Sequence, residues 1–186
     1  MNYFEDYFSE ATATMARTSK MTSQIQSAAE QVLASLNAGG TIYICGNGGS
    51  ASDAQHIAAE LIGRFKSNRK PLASICLNTD TSALTAIAND FGYDEVFARQ
   101  LEGLARPVDL LMVISTSGNS RNIIEVIKRA QTLGIPSILL TGGTGGLATP
   151  LATTSLIVES NETCHIQESH IAIGQAICGF VENSFL

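Results

Sequence analysis

Short apolar runs that alternate with helical stretches constrain this chain more than any other feature. Thr41-Ile42-Tyr43-Ile44-Cys45 is apolar on both faces, as strands buried in a parallel sheet are, and similar runs recur near Leu72–Leu77, Leu110–Ile114, Ser137–Leu140 and Ser155–Val158. Helical patterns fall between them, around Thr81–Asn89, Asp94–Leu104 and Ser120–Leu133, and a last helix is expected from about His165 to Phe185. Strands separated by helices join through right-handed crossovers, which predicts an α/β fold with a doubly wound, five-stranded parallel sheet of order 2-1-3-4-5. Ahead of the sheet, Phe4, Tyr7, Phe8, Ala11 and Met15, then Ile25, Ala28, Ala29, Val32, Leu33 and Leu36, recur at helical spacing. Two helices, or one broken helix, are expected over 1–38, and 39–186 forms the core of one domain.

Bulk chemistry excludes several classes of function. A net charge of -6 gives no broad basic field, which argues against direct binding of nucleic acid. No run of about 18 apolar residues occurs, and Met1-Asn2-Tyr3-Phe4-Glu5-Asp6 lacks the basic and apolar regions of a secretory leader, so a cytoplasmic chain without a membrane partner is expected. Cys45, Cys76, Cys164 and Cys178 show neither disulfide nor zinc-finger spacing and read as small hydrophobes in a reducing compartment.

In an open α/β sheet, ligands bind beyond the carboxyl ends of the strands. After the first strand comes Gly46-Asn47-Gly48-Gly49-Ser50, where glycines let backbone amides approach an anion at a helix N-terminus. After the third comes Ser115-Thr116-Ser117-Gly118-Asn119-Ser120, four hydroxyls and a glycine at the start of another helix. The predicted strand order makes these loops neighbours and suggests a phosphate cradle of hydroxyls and amides. Gly46, Gly48 and Ala51 also satisfy the relaxed dinucleotide pattern, with Asp80 as a ribose-binding acid, but that reading leaves the serine-rich loop unexplained. Neither loop has the Gly-Lys-Ser/Thr of a triphosphate-binding loop. Turn formation and helix capping would explain either loop singly. The run Gly142-Gly143-Thr144-Gly145-Gly146 has no role readable from sequence.

Aldose–ketose interconversion through an enediol needs a base that moves a proton between adjacent carbons. Glu60 is the candidate. It lies four residues after His56 on one helix face, with Asp53 a turn earlier, and the pair could also form half of a zinc site. Taken alone, His-x-x-x-Glu is more often a surface pair.

The two loops together resemble the sugar isomerase (SIS) fold. Asp53-Ala54-Gln55-His56-Ile57-Ala58-Ala59-Glu60-Leu61-Ile62-Gly63-Arg64-Phe65, Asn89-Asp90-Phe91-Gly92 and Ile166-Gln167-Glu168 narrow the resemblance to the bacterial phosphoheptose isomerases. That family implies a homotetramer interconverting sedoheptulose 7-phosphate and a manno-heptose 7-phosphate, the opening reaction of lipopolysaccharide heptose synthesis. The resemblance also implies Glu60 as catalytic acid/base, and one zinc per subunit on His56, Glu60 and Gln167 with Gln175. Implied substrate contacts are Asn47, Gly48, Gly49, Ser50, Glu60, Asn89, Asp90, Ser115, Thr116, Ser117, Ser120 and Gln167, with Arg64 reaching from a neighbouring subunit. Arg64 reads equally well as a solvated helix-end charge. The chain departs from the family at Gln175, where the family has a histidine serving as metal ligand and second acid/base, and at His165, where it has an arginine. An amide does not exchange protons near neutral pH. His170 is expected to be structural. Other functions compatible with the fold are a non-catalytic interaction protein like the DnaA initiator-associating proteins, against which Glu60 argues, and a sugar-phosphate sensor.

Overall fold

The computed structural model describes residues 2–186. The N-terminal periodicity becomes two helices, α1 (Tyr3–Thr18) and α2 (Thr22–Asn37), joined by one 3-10 turn. The Asn2 side chain starts α1 by accepting the Phe4 N–H at 3.1 Å, and Glu5 and Asp6 complement the helix dipole in its first turn. The strands are β1 (Ile42–Gly46), β2 (Ser74–Cys76), β3 (Leu110–Ile114), β4 (Ser137–Gly142) and β5 (Thr154–Val158). All pair in parallel, in the order β2-β1-β3-β4-β5. The remaining helices are α3 (Gly49–Ile62), α4 (Thr81–Phe91), α5 (Ala98–Leu104), α6 (Arg121–Leu133) and α7 (Thr163–Asn183).

Alternation along the strands divides the core between the two sheet faces. Ile42, Ile44, Leu110, Met112 and Ile114 pack with α2, α3 and α7, whereas Tyr43, Cys45, Leu111 and Val113 pack with α5 and α6. Each fully buried large side chain contributes about 1.5–3 kcal/mol. Helix α1 docks on α7, where Thr18 Oγ1 donates to Ser169 Oγ at 3.2 Å.

Two elements differ from expectation. The stretch 94–104 is not one helix: a 3-10 turn at Tyr93–Glu95 follows Gly92, and α5 begins only at Ala98. Strand β2 is only three residues long, Ser74–Cys76 within the expected 72–77, and pairs with β1 at the sheet edge. Cys45, Cys76 and Cys178 are buried and Cys164 half-buried, all as free thiols. Among the described residues no helix is long and apolar enough to cross a membrane.

Candidate phosphosugar site

Gly46 of β1 lies opposite Ile114 of β3, so the loops that follow stand side by side where the strand order reverses. The first loop is held from two sides. Asn78 accepts the Gly46 N–H at 3.2 Å and donates Nδ2–H to the Gly46 carbonyl at 2.8 Å. Asn47 and Asn122 exchange two amide hydrogen bonds of 2.9 Å, which clamp the loop to the first turn of α6. Gly48, with φ 58°, turns the chain into α3, whose first turn begins with Gly49 and the buried Ser50.

In the second loop, Ser115 is buried and its Oγ accepts the Gly118 N–H at 3.2 Å, while Ser117 Oγ accepts the Asn119 N–H at the same distance. A hydroxyl that accepts from a backbone amide keeps its own O–H for another acceptor, so this loop can offer donors to an anion. Ser120 stands at the N-cap position of α6 and makes no capping bond with its side chain. A cleft of about 230 Å³ opens beside the loop, lined by Thr116, Ser117, Thr144, Ser160 and Thr163 among others.

Gln167 of α7 reaches the other side of the cradle. Its amide lies so close over Gly49 that a Cβ there would stand 2.6 Å from Nε2. Beside it, Tyr7 donates to Glu168 Oε1 at 2.7 Å, and His165 Nδ1 lies 2.9 Å from Glu168 Oε2. Burial alone would raise the Glu168 pKa, but the bonds from His165 and Tyr7 outweigh it and hold the carboxyl below its usual range. The bond to Glu168 pushes the Tyr7 phenol up. His165 is therefore a buried partner of Glu168, its ring centroid 4.7 Å from that of Tyr7. His170 is buried too, with Nε2 3.1 Å from the Thr141 carbonyl, as expected of a structural histidine.

The proton-handling candidates lie elsewhere. His56 Nε2 is 3.1 Å from Glu60 Oε1 on α3, with the histidine side chain half exposed and the Glu60 side chain largely covered. Asp53, one turn nearer the cradle, has Oδ2 buried without a partner among the described residues, and burial raises its pKa against the attraction of His56. Glu60 is eleven residues beyond Gly49, roughly 16 Å along the helix at about 1.5 Å per residue, whereas Gln167 stands at Gly49 itself. Gln175 follows Gly174, which packs on Ile57 midway along α3. The donors His56, Glu60, Gln167 and Gln175 thus do not close around one ion within a single chain. Among the described residues no group of three or more His, Cys, Asp or Glu forms a metal cluster. The exposed Arg64 lies beyond the end of α3, farther still from its own cradle. Asn89 and Asp90 are exposed at the end of α4 and bond to each other at 2.7 Å. Only their neighbour Tyr93 touches the first loop, at 3.4 Å from Asn47 Oδ1.

Sequence reasoning missed Asn78 and Asn122. Asn122 carried a usable signal, a polar residue in line with the buried stripe Ile123, Val126, Ile127 and Ala130 of α6. Also missed was the carboxylate that anchors the far end of α3. The Glu182 side chain accepts the N–H groups of Phe65, Lys66 and Ser67, each at 2.8 Å, and Arg69 donates to the carbonyls of Glu60 and Leu61 at 2.7 and 2.8 Å. Desolvation opposes the charge on Glu182, yet those three amides and Arg69 hold its pKa below the usual value.

Comparison with known proteins agrees with this geometry. The SIS domain family matches residues 6–142. A phosphoheptose isomerase of Helicobacter pylori (strain P12) is 56% identical over 146 residues, covering 78% of this chain and 76% of that one. The structure of a phosphoheptose isomerase from Francisella tularensis superimposes with a TM-score of 0.94 at 33% identity, over 97% of this chain and 96% of the other. That from Neisseria gonorrhoeae superimposes with a TM-score of 0.92 at 41% identity, over 97% of each. The chain therefore belongs to the phosphoheptose isomerases, within the SIS domain family.

Proposed function

We propose that the protein interconverts sedoheptulose 7-phosphate and a manno-heptose 7-phosphate, and so opens the synthesis of lipopolysaccharide heptose. The observation that carries this reading is the pairing of β1 with β3, which sets an amide loop beside a hydroxyl loop at the switch point. The hydroxyls of Ser115, Thr116, Ser117 and Ser120 hold the phosphate, and the Gly48 and Gly49 turn with Ser50 and the Gln167 amide orients the polyol. The Glu60 carboxylate removes the proton from the hydroxyl-bearing carbon next to the carbonyl, and the electron pair passes to the carbonyl oxygen, giving an enediolate. The neighbouring hydroxyl's proton moves to that oxygen, a new carbonyl forms on the neighbouring carbon, and Glu60 returns its proton to the former carbonyl carbon.

Because Glu60, His56 and Arg64 lie well along or beyond α3 from their own cradle at Gly49, they act on the cradle of a second copy, in a homotetramer. The exposed side chains of Tyr3, Phe4 and Phe8 on α1, 72%, 67% and 65% accessible, supply apolar surface for such an assembly. Zinc, one ion per subunit, is proposed for the donors His56, Glu60 and Gln175, with the Gln167 amide supplied by another copy. Metal analysis of the purified protein checks this, and no step above depends on it.

Incubation with sedoheptulose 7-phosphate, followed by NMR with and without added zinc, should show the aldose product. Binding without turnover under both conditions would overturn the isomerase reading in favour of a sensor. Light scattering should give four times the chain mass; a monomer at micromolar concentration would rule out shared sites.

A further inference from the structure

The glycine run that sequence could not interpret lies directly against the hydroxyl loop. The Gly142 N–H donates to the Thr116 carbonyl at 3.1 Å, the Ala148 N–H to the Gly118 carbonyl at 2.9 Å, and the Leu147 N–H to Asn119 Oδ1 at 3.0 Å. No side chain fits between the two segments. A Cβ on Gly118 would meet the Gly145 carbonyl, and one on Gly146 would meet the Ser117 carbonyl and the Gly118 backbone. Gly118, Gly145 and Gly146 all have positive φ, 63°, 83° and 64°, where other residues are strained. The run is itself tied down on the side away from the loop. The Gly143 N–H donates to the carbonyls of Ser160 and Val158 at 2.9 and 3.2 Å, and Thr149 Oγ1 donates to the Gly145 carbonyl at 2.7 Å.

We propose that Gly142–Leu147 is a seat that fixes Ser115–Ser120 in its anion-binding shape, with Asn119 as the positioning residue that latches the loop to it. This rests on the reading of Ser115–Ser120 as the phosphate site. Asn119 is exposed, and its backbone N–H already bonds to Ser117 Oγ, so its side chain couples the hydroxyl array to the seat through one residue. The latch acts on the phosphate, remote from the carbons that react. Its loss should therefore weaken ground-state binding far more than turnover.

The test measures KM and kcat for sedoheptulose 7-phosphate, together with inhibition by inorganic phosphate, in Asn119→Ala, Gly146→Ala and Ser120→Ala. Asn119→Ala should raise KM and the phosphate inhibition constant in parallel, about five- to tenfold for one lost hydrogen bond, with kcat within about threefold. Gly146→Ala should raise both further. If it fails to fold, Asn119→Ala, a surface change, decides alone. Unchanged KM and phosphate inhibition in the Asn119 and Gly146 variants, with Ser120→Ala weakened, would overturn the seat and leave the phosphate site standing. A fall in kcat with KM unchanged would also overturn it. If Ser120→Ala binds phosphate normally as well, the phosphate-site reading fails, and the seat with it.

Discussion

The two ends of α3 do different work. At its start, Gly49 lies under Gln167 and beside a loop fixed by Asn78 and Asn122, so every part of the proposed phosphate cradle comes from one chain. Toward its end, His56 and Glu60 contact each other, the histidine half exposed and the carboxylate largely covered, and the backbone behind them is fixed through Arg69 and Glu182. On the proposed reading a single subunit holds the phosphate, while the proposed base, Glu60, stands eleven residues along α3, roughly 16 Å at about 1.5 Å per residue. Binding and proton transfer should separate cleanly under mutation.

The sharpest test of that separation is Glu60→Gln. Removing the base should lower turnover by about 10²- to 10⁴-fold, while the affinity for inorganic phosphate stays that of the unaltered protein. Calorimetry beside a rate assay distinguishes the two effects. Loss of phosphate binding in this variant would place Glu60 in the cradle and break the comparison.

Ser115→Ala or Ser120→Ala should do the opposite. Each removes a hydroxyl that the loop leaves free to donate, at a loss of about 1–3 kcal/mol in phosphosugar binding, the usual range for a hydrogen bond to a charged group. Ser115→Ala carries a small additional local effect, because the Gly118 N–H loses one of its two acceptors and keeps the Ser115 carbonyl at 3.2 Å. Unaltered affinity in both variants would move the phosphate elsewhere along the sheet edge.

The same division governs what the sequence could reveal. Sheet order and the two loops are legible because each depends on neighbours in the chain: Ile42 to Cys45 is apolar on both faces, and glycines or serines open the helix that follows. The clamps are not, because their partners are distant. Asn47 meets Asn122 across 75 residues, and Glu182 meets Ser67 across 115. Gly142–Gly146 looks like a flexible linker until Gly118 is seen packed against it. His56 and Glu60 are legible as a pair, since spacing on one helix sets their contact, but which cradle they serve depends on surfaces that no spacing encodes.

The smallest effect expected concerns the histidine beneath the seat rather than the reacting groups. His170 is wholly buried, its Nε2–H donates to the Thr141 carbonyl at 3.1 Å, and Nδ1 has no partner among the described residues. Burial lowers its pKa to about 4 from an ordinary 6.5, only partly offset by the bond to Thr141, because a second proton would place a charge among apolar side chains. The unfolded chain therefore takes up a proton first as pH falls. Stability should decline from about pH 6.5 and stop declining on this account near pH 4, at a slope approaching about 1.4 kcal/mol per unit. Glu10, Glu168 and Glu182 act lower down: each is held below the ordinary glutamate value of 4.5, so their contribution is complete above it and is lost only as the pH falls through the folded values. Between pH 6.5 and 5 the His170 contribution can be read from denaturant unfolding of the protein against His170→Gln, whose amide can still donate to Thr141 and does not titrate. The variant should lose less stability than the parent over that interval. Equal slopes would mean that His170 gains a proton without leaving the fold, and that the region under the seat opens far more readily than its packing implies.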